Sequence, residues 1–236
     1  MNIIQCFKKF VSEIWNDFML SVIIIVPILV GLLFKFIIPL AESYLIKILD
    51  VSAFLSPYYI IFDIILIIIP SSMFAFAAVM VILEQLDNGI AKYLVVTPLG
   101  KSGYLLSVIM LPTVIFFIYA IINTLIFKLT DITFIQILLT SIISSLIGIA
   151  NSFIIIAFSH NKIEGLALSK FSVLIILGTL IPFFVNTNIK YLASFLPTFW
   201  IGEFFINNNY IFIIIALCIC SIFCYISYNK FKNKLI

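Results

Sequence analysis

The chain has 236 residues, of which 64% are hydrophobic and only 10% are charged, and its mean hydropathy is +1.32. A soluble globular domain has roughly 45–50% apolar and about 25% charged residues. This composition excludes a soluble enzyme, a disordered tail and a nucleic-acid-binding protein of the usual kind. The net charge is +3 and all 13 basic residues are lysines. The chain therefore lacks the planar guanidinium group of arginine, which binds phosphate through two parallel hydrogen bonds.

Residues 3–17 precede the first long apolar stretch and predict a helix of their own. Apolar side chains recur there at helical spacing, at Ile3, Ile4, Phe7, Phe10, Val11 and Ile14. The charged side chains fall among the remaining positions, at Lys8, Lys9, Glu13 and Asp17. This pattern is typical of an amphipathic helix that lies in the membrane interface, with Trp15 at headgroup depth. The alternative is a simple upstream extension of the first span.

Long apolar stretches account for most of the remaining chain. A helix needs roughly 20 apolar residues to cross the hydrocarbon core. Six stretches qualify, at about 18–40, 58–83, 104–127, 132–159, 171–189 and 204–229. They are too long and too uniformly apolar for barrel strands, which alternate. The sequence therefore predicts an all-α integral membrane protein with one transmembrane domain over residues 1–236.

The lysines predict how these helices are oriented. Six spans place both termini on one side, together with the loops after the second and fourth spans. That side carries nine lysines, and the other side carries four, namely Lys35, Lys47, Lys128 and Lys190. Because lysine-rich loops stay in the cytoplasm, we expect both termini to be cytoplasmic.

Residues able to perform catalysis are scarce. His160 is the only histidine, and Asp63 is the only acid near a span, where we expect it at the outer interface. Residues 100–102 match the end of a phosphate-binding loop, but Val95 stands where its first glycine is required. The cysteines of the last span have no histidine or carboxylate beside them to complete a metal site. We predict no catalytic residue, no metal and no ATP hydrolysis in this chain.

The fourth span has one small, weakly polar face. Its members recur every three to four residues: Ser141, Ser144, Ser145, Gly148, Asn151 and Ser152. Such faces let helices approach closely and share hydrogen bonds. Two interpretations remain open: helix packing, or the wall of a substrate pathway or subunit interface. The segment 186–209 before the last span is too apolar for a solvated loop, and predicts short helices that dip into the outer leaflet.

The loop between the second and third spans, residues 83–107, is the longest on the predicted cytoplasmic side. Asp87-Asn88-Gly89 is a turn signal, and the positions after it predict a short amphipathic helix with apolar residues Ile90, Tyr93 and Leu94. Thr97 followed by Pro98 is typical of an N-cap with proline at the first helical position, which would open the third span.

The residues of this loop resemble those of the membrane subunits of ABC-2-type ABC transporters. The resemblance rests on Glu84, Gly89, Leu94, Thr97-Pro98-Leu99 and Tyr104, in this order after the second of six spans. That family also has an interfacial N-terminal helix, cytoplasmic termini and re-entrant helices before the sixth span. The resemblance therefore covers essentially the whole chain.

The resemblance implies a permease subunit of an exporter, which forms the translocation pathway with a second, identical or related permease subunit. Two copies of a separate ABC ATPase subunit would carry ATP and Mg²⁺, and this chain would hold no cofactor. Residues 84–96 would be the coupling helix, with Glu84 and Lys92 as candidate ion-pair partners and a second contact from residues 160–170. The implied ATPase-coupling residues are Glu84, Asp87, Gly89, Ile90, Lys92, Tyr93, Leu94, Thr97 and Pro98.

Two other classes of protein share some of these features. The substrate-binding membrane subunit of a vitamin-type ABC importer also has about six spans, but it binds a small ligand tightly by itself. A membrane enzyme would need paired acids, histidines or metal ligands within the spans, and this sequence has none. The isoleucine, lysine and asparagine bias points to an AT-rich bacterial genome, so we expect a multi-pass protein of the bacterial plasma membrane. The abundant phenylalanines favour an amphipathic cargo.

Overall fold

A computed structural model describes residues 2–50 and 52–232. Within these ranges every regular element is a helix. Five helices are long and apolar enough to cross a membrane, namely Phe18–Leu49, Ser56–Asp87, Gly100–Phe127, Phe134–Phe158 and Ile211–Phe231. The prediction of an all-α, multi-pass membrane protein is confirmed, whereas the described residues contain five uninterrupted helices of spanning length and not six. Lys234 is one of the nine lysines on which the predicted orientation rests, and it lies outside the described residues.

The N-terminal helix α1 (Ile3–Asn16) is separate from α2 (Phe18–Leu49). Asp17 between them has an extended backbone, and its carboxylate accepts hydrogen bonds from the amides of Met19 (2.9 Å) and Leu20 (3.4 Å). An aspartate in this position satisfies the free N–H groups of a new helix. Helix α1 is therefore not an extension of the first span. It buries one face, formed by Cys6, Phe10 and Ile14.

Helix α2 continues to Leu49, although the first span was predicted to end at Leu40. Near its far end the carboxylate of Glu42 accepts hydrogen bonds from the amides of Phe54 (2.9 Å) and Leu55 (2.5 Å). The carboxylate thus fixes the loop that leads to α3 (Tyr59–Asp87) against the last turns of α2. Glu42 is buried within the helix because this loop supplies its hydrogen-bond partners.

Helix α3 forms the core of the bundle with α7 (Phe134–Phe158) and the third spanning helix. In α3, 72% of the most apolar stretch is buried within the protein. The third span begins at Gly100 instead of Tyr104, and it consists of α5 (Gly100–Leu105), a π-helical segment Leu106–Met110 and α6 (Leu111–Phe127).

The start of the third span differs from the prediction. Thr97 is the C-cap of the short helix α4 (Ile90–Val96), and its hydroxyl donates to the carbonyl of Leu94 at 2.6 Å. The amide of Gly100 then bonds to the Thr97 carbonyl at 3.0 Å, and Gly100 has a φ of +64°. A left-handed residue closes this turn, and glycine adopts that conformation without steric cost. The Thr97 N-cap prediction was therefore wrong.

Asp63 is fully buried, whereas we expected an interfacial residue. Its carboxylate accepts hydrogen bonds from the amides of Leu129 (2.7 Å) and Thr130 (2.8 Å) and from the Thr130 hydroxyl (2.5 Å). Buried carboxylates persist where donors satisfy them. Asp63 thus ties the start of α3 to the short hairpin between α6 and α7. This end of the bundle, which contains Tyr58, Asp63 and Leu129, is called the hairpin end below.

The predicted fifth span, 171–189, is not one helix. The chain forms α8 (Lys162–Ser169), α9 (Ser172–Leu177) and α10 (Ile181–Phe184). A Cβ atom at Gly178 would lie 2.4 Å from the Thr198 hydroxyl, and Pro182 sits in the first turn of α10. Proline has no N–H to donate to the preceding turn, so it does not continue the helix before it and instead begins the next one, where its missing N–H is not needed.

This broken segment follows the full length of α3 in the opposite direction. The backbone amide of Lys162 donates to the Asp87 carboxylate at 2.9 Å, at the end of α3. At the other extreme, the ring of Phe184 stacks on Tyr58 with centroids 5.4 Å apart, at the start of α3. The end of the bundle that contains Asp17, Asp87 and Lys162 is called the α4 end below.

Short helices follow before the last long helix, as the apolar segment 186–209 predicted. A 3₁₀ turn, Asn188–Ala193, leads to α11 (Pro197–Asn207), and α12 (Ile211–Lys232) begins only at Ile211. Phe204, the predicted start of the sixth span, therefore belongs to α11. The buried carboxylate of Glu203 pairs with Lys190 and accepts a hydrogen bond from Asn207 at 2.7 Å.

Candidate functional site

The α4 end of the bundle contains most of the predicted coupling residues. After α3 ends at Asp87, Gly89 takes a φ of +70° and α4 follows immediately. Helix α4 buries Ala91 and Leu94 in the core of the protein. On its other side, Tyr93 is 70% exposed and Val96 is 81% exposed. A short helix is therefore fixed under α3 and presents an apolar face outward.

The structure separates the predicted coupling residues into two groups. Most lie at the surface: Glu84, Asp87, Gly89, Lys92, Tyr93 and Pro98 are exposed. Leu94 is buried, and Ile90 and Thr97 are half-buried. Val96 belongs to the exposed face but was missed by sequence reasoning. Its position three residues after Tyr93 places it on the same side of the helix, so the spacing could have identified it.

Lys162 is the electrostatic centre of this end. Its ammonium group lies 2.7 Å from Glu84 and 3.7 Å from Asp17, and its amide bonds to Asp87. Partial burial lowers the pKa of Lys162, but the Glu84 and Asp17 carboxylates more than offset this and raise it above its ordinary value. These contacts hold the start of α2, the end of α3 and the start of α8 together. Glu84 is thus paired with Lys162, and Lys92 makes no ion pair with any residue that the structure describes.

The region predicted to make a second contact, residues 160–170, begins at this end. Asn161 caps α8 by accepting a hydrogen bond from the amide of Glu164 at 2.9 Å, and Glu164 accepts one from the His160 amide at 2.7 Å. Ile163 in the first turn of α8 is 79% exposed. Helix α8 packs on α3. Two short helices therefore flank the end of α3: α4 follows it in the chain, and α8 lies beside it.

A buried polar chain links α1 to the same end, and sequence reasoning missed it. Tyr104 donates to the Gln85 side chain at 2.8 Å, and the Gln85 amide donates to the Glu13 carboxylate at 2.6 Å. Tyr104 and Gln85 are almost completely buried. Burial raises the pKa of Glu13 above its ordinary value, although the Gln85 hydrogen bond and Lys9 act in the other direction. The chain connects α1, α3 and α5 at the α4 end of the bundle.

The serine-rich face of α7 lies mainly against α3. Ser144 bonds to Ser71 at 2.5 Å, and its hydroxyl lies 3.1 Å from the Ile67 carbonyl. A Cβ atom at Gly148 would come within 2.9 Å of the Ser71 carbonyl oxygen. Ser152 is buried and donates to the Gly148 carbonyl at 2.9 Å. These residues allow the two helix backbones to approach closely.

Other members of the face have different surroundings. Ser145 is half-buried and donates to the Ile142 carbonyl at 2.7 Å. The hydroxyl of Ser141 is buried without a hydrogen-bond partner among the described residues. Asn151 lines two small apolar cavities, of about 210 and 220 Å³, which it shares with Ile154 and Ile175. The wall of a substrate pathway therefore stays a prediction for this face.

Within residues 2–50 and 52–232, no group of three or more histidine, cysteine, aspartate or glutamate side chains is placed to hold a metal ion. The site is instead a surface made of α4, the charged cluster around Lys162 and the start of α8. Its exposed apolar residues and fixed helices suit contact with another protein.

Comparison with known proteins identifies a family for this chain. A family model described as "Fluoroquinolones export permease protein Rv2686c-like" matches residues 10–228. No curated protein and no solved structure matches the chain. The match begins within α1, includes the α4 end and ends within the last turns of α12. The chain therefore belongs to the Rv2686c-like family of export permeases, a family of ABC-2-type membrane subunits.

Proposed function

We propose that the chain is the membrane-spanning subunit of an ABC exporter and that separate ATPase subunits drive it through the α4 end. The observation that carries this proposal is the placement of α4. It follows α3 after one tight turn, it is anchored by Ala91 and Leu94, and it presents Tyr93 and Val96 outward. Large, exposed apolar residues rimmed by charges mark a protein interaction site.

The packing of α3 explains how motion would spread from this surface. Helix α4 cannot move independently of α3, because its inner face belongs to the same buried cluster as Leu83 and Met80 of α3. Helix α3 is packed against α6 and α7 along most of its length. A push on α4 when two ATPases close on ATP and Mg²⁺ would therefore tilt α3 with its neighbours, and Lys162 would carry the displacement to α8.

In this proposal the α4 end faces the cytoplasm and the chain crosses the membrane six times. The fifth crossing is the broken segment 162–184, which follows α3 from Lys162 at one end to Phe184 at the other. Interrupted helices occur at membrane depth where protein or a cavity surrounds them. The excess of lysines on the α4 side supports cytoplasmic termini and a bacterial plasma-membrane location.

The cargo that fits best is an amphipathic molecule. The matching family is named for the export of fluoroquinolones, which combine an aromatic ring system with a carboxylate. Between α2, α3 and the broken segment lies a cavity of about 370 Å³, within the size range of small-molecule sites. Its wall is apolar except for Ser72, Ser169 and Lys170. A second permease subunit, identical or related, would complete the pathway.

Co-purification with the ATPase tests the coupling surface. We expect Tyr93→Glu and Val96→Glu to remove most of the ATPase that co-purifies with the permease, because each buries a charge in an apolar contact. Gly89→Asp should have a similar effect, since aspartate is strained at a φ of +70°. Tyr44→Glu is the matched control, because Tyr44 is 66% exposed on α2, far from α4. Full ATPase recovery with all three α4-end variants would contradict the proposal.

The vitamin-type importer alternative makes a different prediction. A substrate-capturing subunit binds its vitamin tightly without any ATPase, so calorimetry on the isolated chain would detect it. An exporter permease is expected to show no such tight binding. It should instead lower the intracellular concentration of a fluoroquinolone when it is expressed together with its ATPase.

A further inference from the structure

Another apolar cavity, of about 290 Å³, lies beside α1 and away from the α4 surface. Helix α1 closes one side, α2 and α6 form two walls, and Ala77 of α3 lies at the back. The hydroxyl of Tyr119 donates to the Ile24 carbonyl at 2.7 Å, so α2 and α6 are bonded together where they line the cavity. The walls are almost free of polar atoms, and five aromatic side chains contribute to them: Phe7, Phe10, Trp15, Phe116 and Tyr119.

The residues of α1 that border this cavity continue into a polar edge. Phe7, Val11 and Trp15 line the cavity at intervals of four residues. Lys8, Ser12 and Trp15 are all exposed and are spaced by four and three residues, so they share the adjacent edge of the helix. An ammonium group, a hydroxyl and an indole N–H therefore follow one another along the rim. Lys9 lies on the opposite edge, where it pairs with Glu13 at 3.9 Å.

The geometry points to a binding site for one anionic phospholipid, with an acyl chain in the cavity beside α1 and its headgroup on the Lys8–Ser12–Trp15 edge. An interfacial helix places its apolar face at the boundary of headgroups and acyl chains. Lysines near that boundary attract anionic lipids. The apolar cavity therefore lies at the depth of the lipid's acyl chains, and the cationic rim lies at the depth of its phosphate.

The dimensions favour a lipid chain over a transported molecule. Drug-sized ligands occupy pockets of roughly 300–1,000 Å³ that include a few polar groups to fix their orientation. This cavity is at the lower limit of that range, and its interior is almost entirely apolar. A bound lipid would hold α1 against α2 and α6. This inference does not depend on the proposed export function, because it concerns only the membrane and α1.

The fluorescence of Trp15 can report whether a lipid occupies the site. Trp15 and Trp200 are the only tryptophans, so the Trp200→Phe variant leaves Trp15 as the single fluorophore. We would reconstitute this variant in phosphatidylcholine vesicles and replace increasing fractions with phosphatidylglycerol that carries brominated chains, which quench tryptophan. We expect phosphatidylglycerol to occupy the site about fivefold more readily than brominated phosphatidylcholine, the preference that a single interfacial lysine provides.

Matched substitutions separate the site from general membrane contact. Lys8→Gln should abolish the preference for phosphatidylglycerol, whereas Lys9→Gln removes the same charge from the other edge and should retain it. Ile115→Phe fills the cavity and should weaken quenching by both lipids, whereas Ile118→Phe enlarges a residue of α6 that does not line it. Lys8, Lys9, Ile115 and Ile118 are all exposed, so the core is not disturbed.

Three results would overturn the assignment: equal quenching by the two lipids, equal effects of Lys8→Gln and Lys9→Gln, or unchanged quenching in Ile115→Phe. Native mass spectrometry of the unsubstituted chain gives an independent measurement. It should detect one phosphatidylglycerol retained from a mixed membrane, and Ile115→Phe should lose it. Retention of the lipid by Ile115→Phe would equally contradict the site.

Discussion

Two long helices of this molecule have the same hydropathy but opposite environments. Helices α3 and α12 both have a mean hydropathy of 2.6, yet 72% of α3's most apolar stretch is buried and only 22% of α12's. Helix α7 resembles α3, with 67% buried, and α2 resembles α12, with 22%. Apolarity therefore identifies which segments enter the membrane, but it does not determine which of them form the core.

Small and weakly polar residues distinguish the buried pair. In a bilayer the lipid chains are as apolar as leucine, so helices associate by close packing and by hydrogen bonds between helices. The α3–α7 contact has both, in Gly148 against the Ser71 carbonyl and in the Ser71–Ser144 hydrogen bond. The outer faces of α2 and α12 consist mainly of large exposed side chains such as Leu33, Phe36 and Ile214. These faces are available to lipid or to a second permease subunit.

The largest expected effect on stability comes from removing one of two carboxylates, Asp63 and Glu42, each of which fixes a loop. Asp63→Ala should lower the free energy of unfolding by about 3 kcal/mol, because three donors lose an acceptor that is fully buried. Glu42→Ala on the peripheral helix should lower it by only about 1 kcal/mol, because water can reach its loop. Thermal unfolding in detergent would measure both, with the exposed Asp131→Asn as a control. An effect of Glu42→Ala equal to that of Asp63→Ala would show that the two regions are equally buried.

The Gly148→Ala variant, which adds a single methyl group, tests the close approach of α3 and α7. Gly148→Ala should lower the free energy of unfolding by about 2 kcal/mol, because its Cβ would lie 2.9 Å from a backbone oxygen that cannot move independently. Intrinsic helix propensity alone predicts the opposite sign, a gain of about 1 kcal/mol. Cys218→Leu, an enlargement at an exposed position of α12, should change stability by less than about 0.5 kcal/mol. A stabilised Gly148→Ala variant would refute the packing argument.

The smallest effect concerns the pH dependence of the attachment of α1. Burial raises the pKa of Glu13 in the folded protein. Its contribution to stability is therefore complete below the unfolded pKa of 4.5 and is lost as the pH rises through the folded pKa. Glu13→Gln cannot ionise, so it should unfold at a slightly higher temperature than the unsubstituted chain at neutral pH. The difference should disappear near pH 4, in the range of ordinary carboxyl pKa values.

Melting temperatures measured across that pH range provide the test, with Asp131→Asn as a carboxylate control that is exposed. If Glu13→Gln and the unsubstituted chain differ equally at both extremes of pH, ionisation of Glu13 does not contribute to the attachment. The effect is expected to be under about 1 kcal/mol, because Glu13 is only partly buried.

Much of the architecture could be predicted from local patterns. The apolar stretches located the five uninterrupted spans to within a few residues at most ends, and the Asp87-Asn88-Gly89 signal located a turn that the structure contains. The amphipathic pattern of residues 3–17 predicted α1. These features follow from periodicity and turn chemistry, which act over neighbouring residues and are therefore visible in a single sequence.

Other features depend on residues far apart in the chain. Gly178 lies against Thr198 of α11, and Glu84 pairs with Lys162 because α8 folds back against α3. Val96 shares a side of α4 with Tyr93 by spacing alone, but only the packing of α4 shows that this side faces outward. Leu94, predicted as an apolar contact for the ATPase, is instead used within the protein's own core.

The sequence by itself determined that this chain is a helical membrane protein, where most of its long helices lie and which loop resembles a coupling helix. Those properties depend on composition and on the spacing of neighbouring residues, which determine how a segment partitions between water and the bilayer. Only the tertiary structure decided which helices are central, which carboxylates are buried and which face of α4 is exposed. All these helices are similarly apolar, so their places in the bundle depend on shape complementarity and on hydrogen bonds between distant residues.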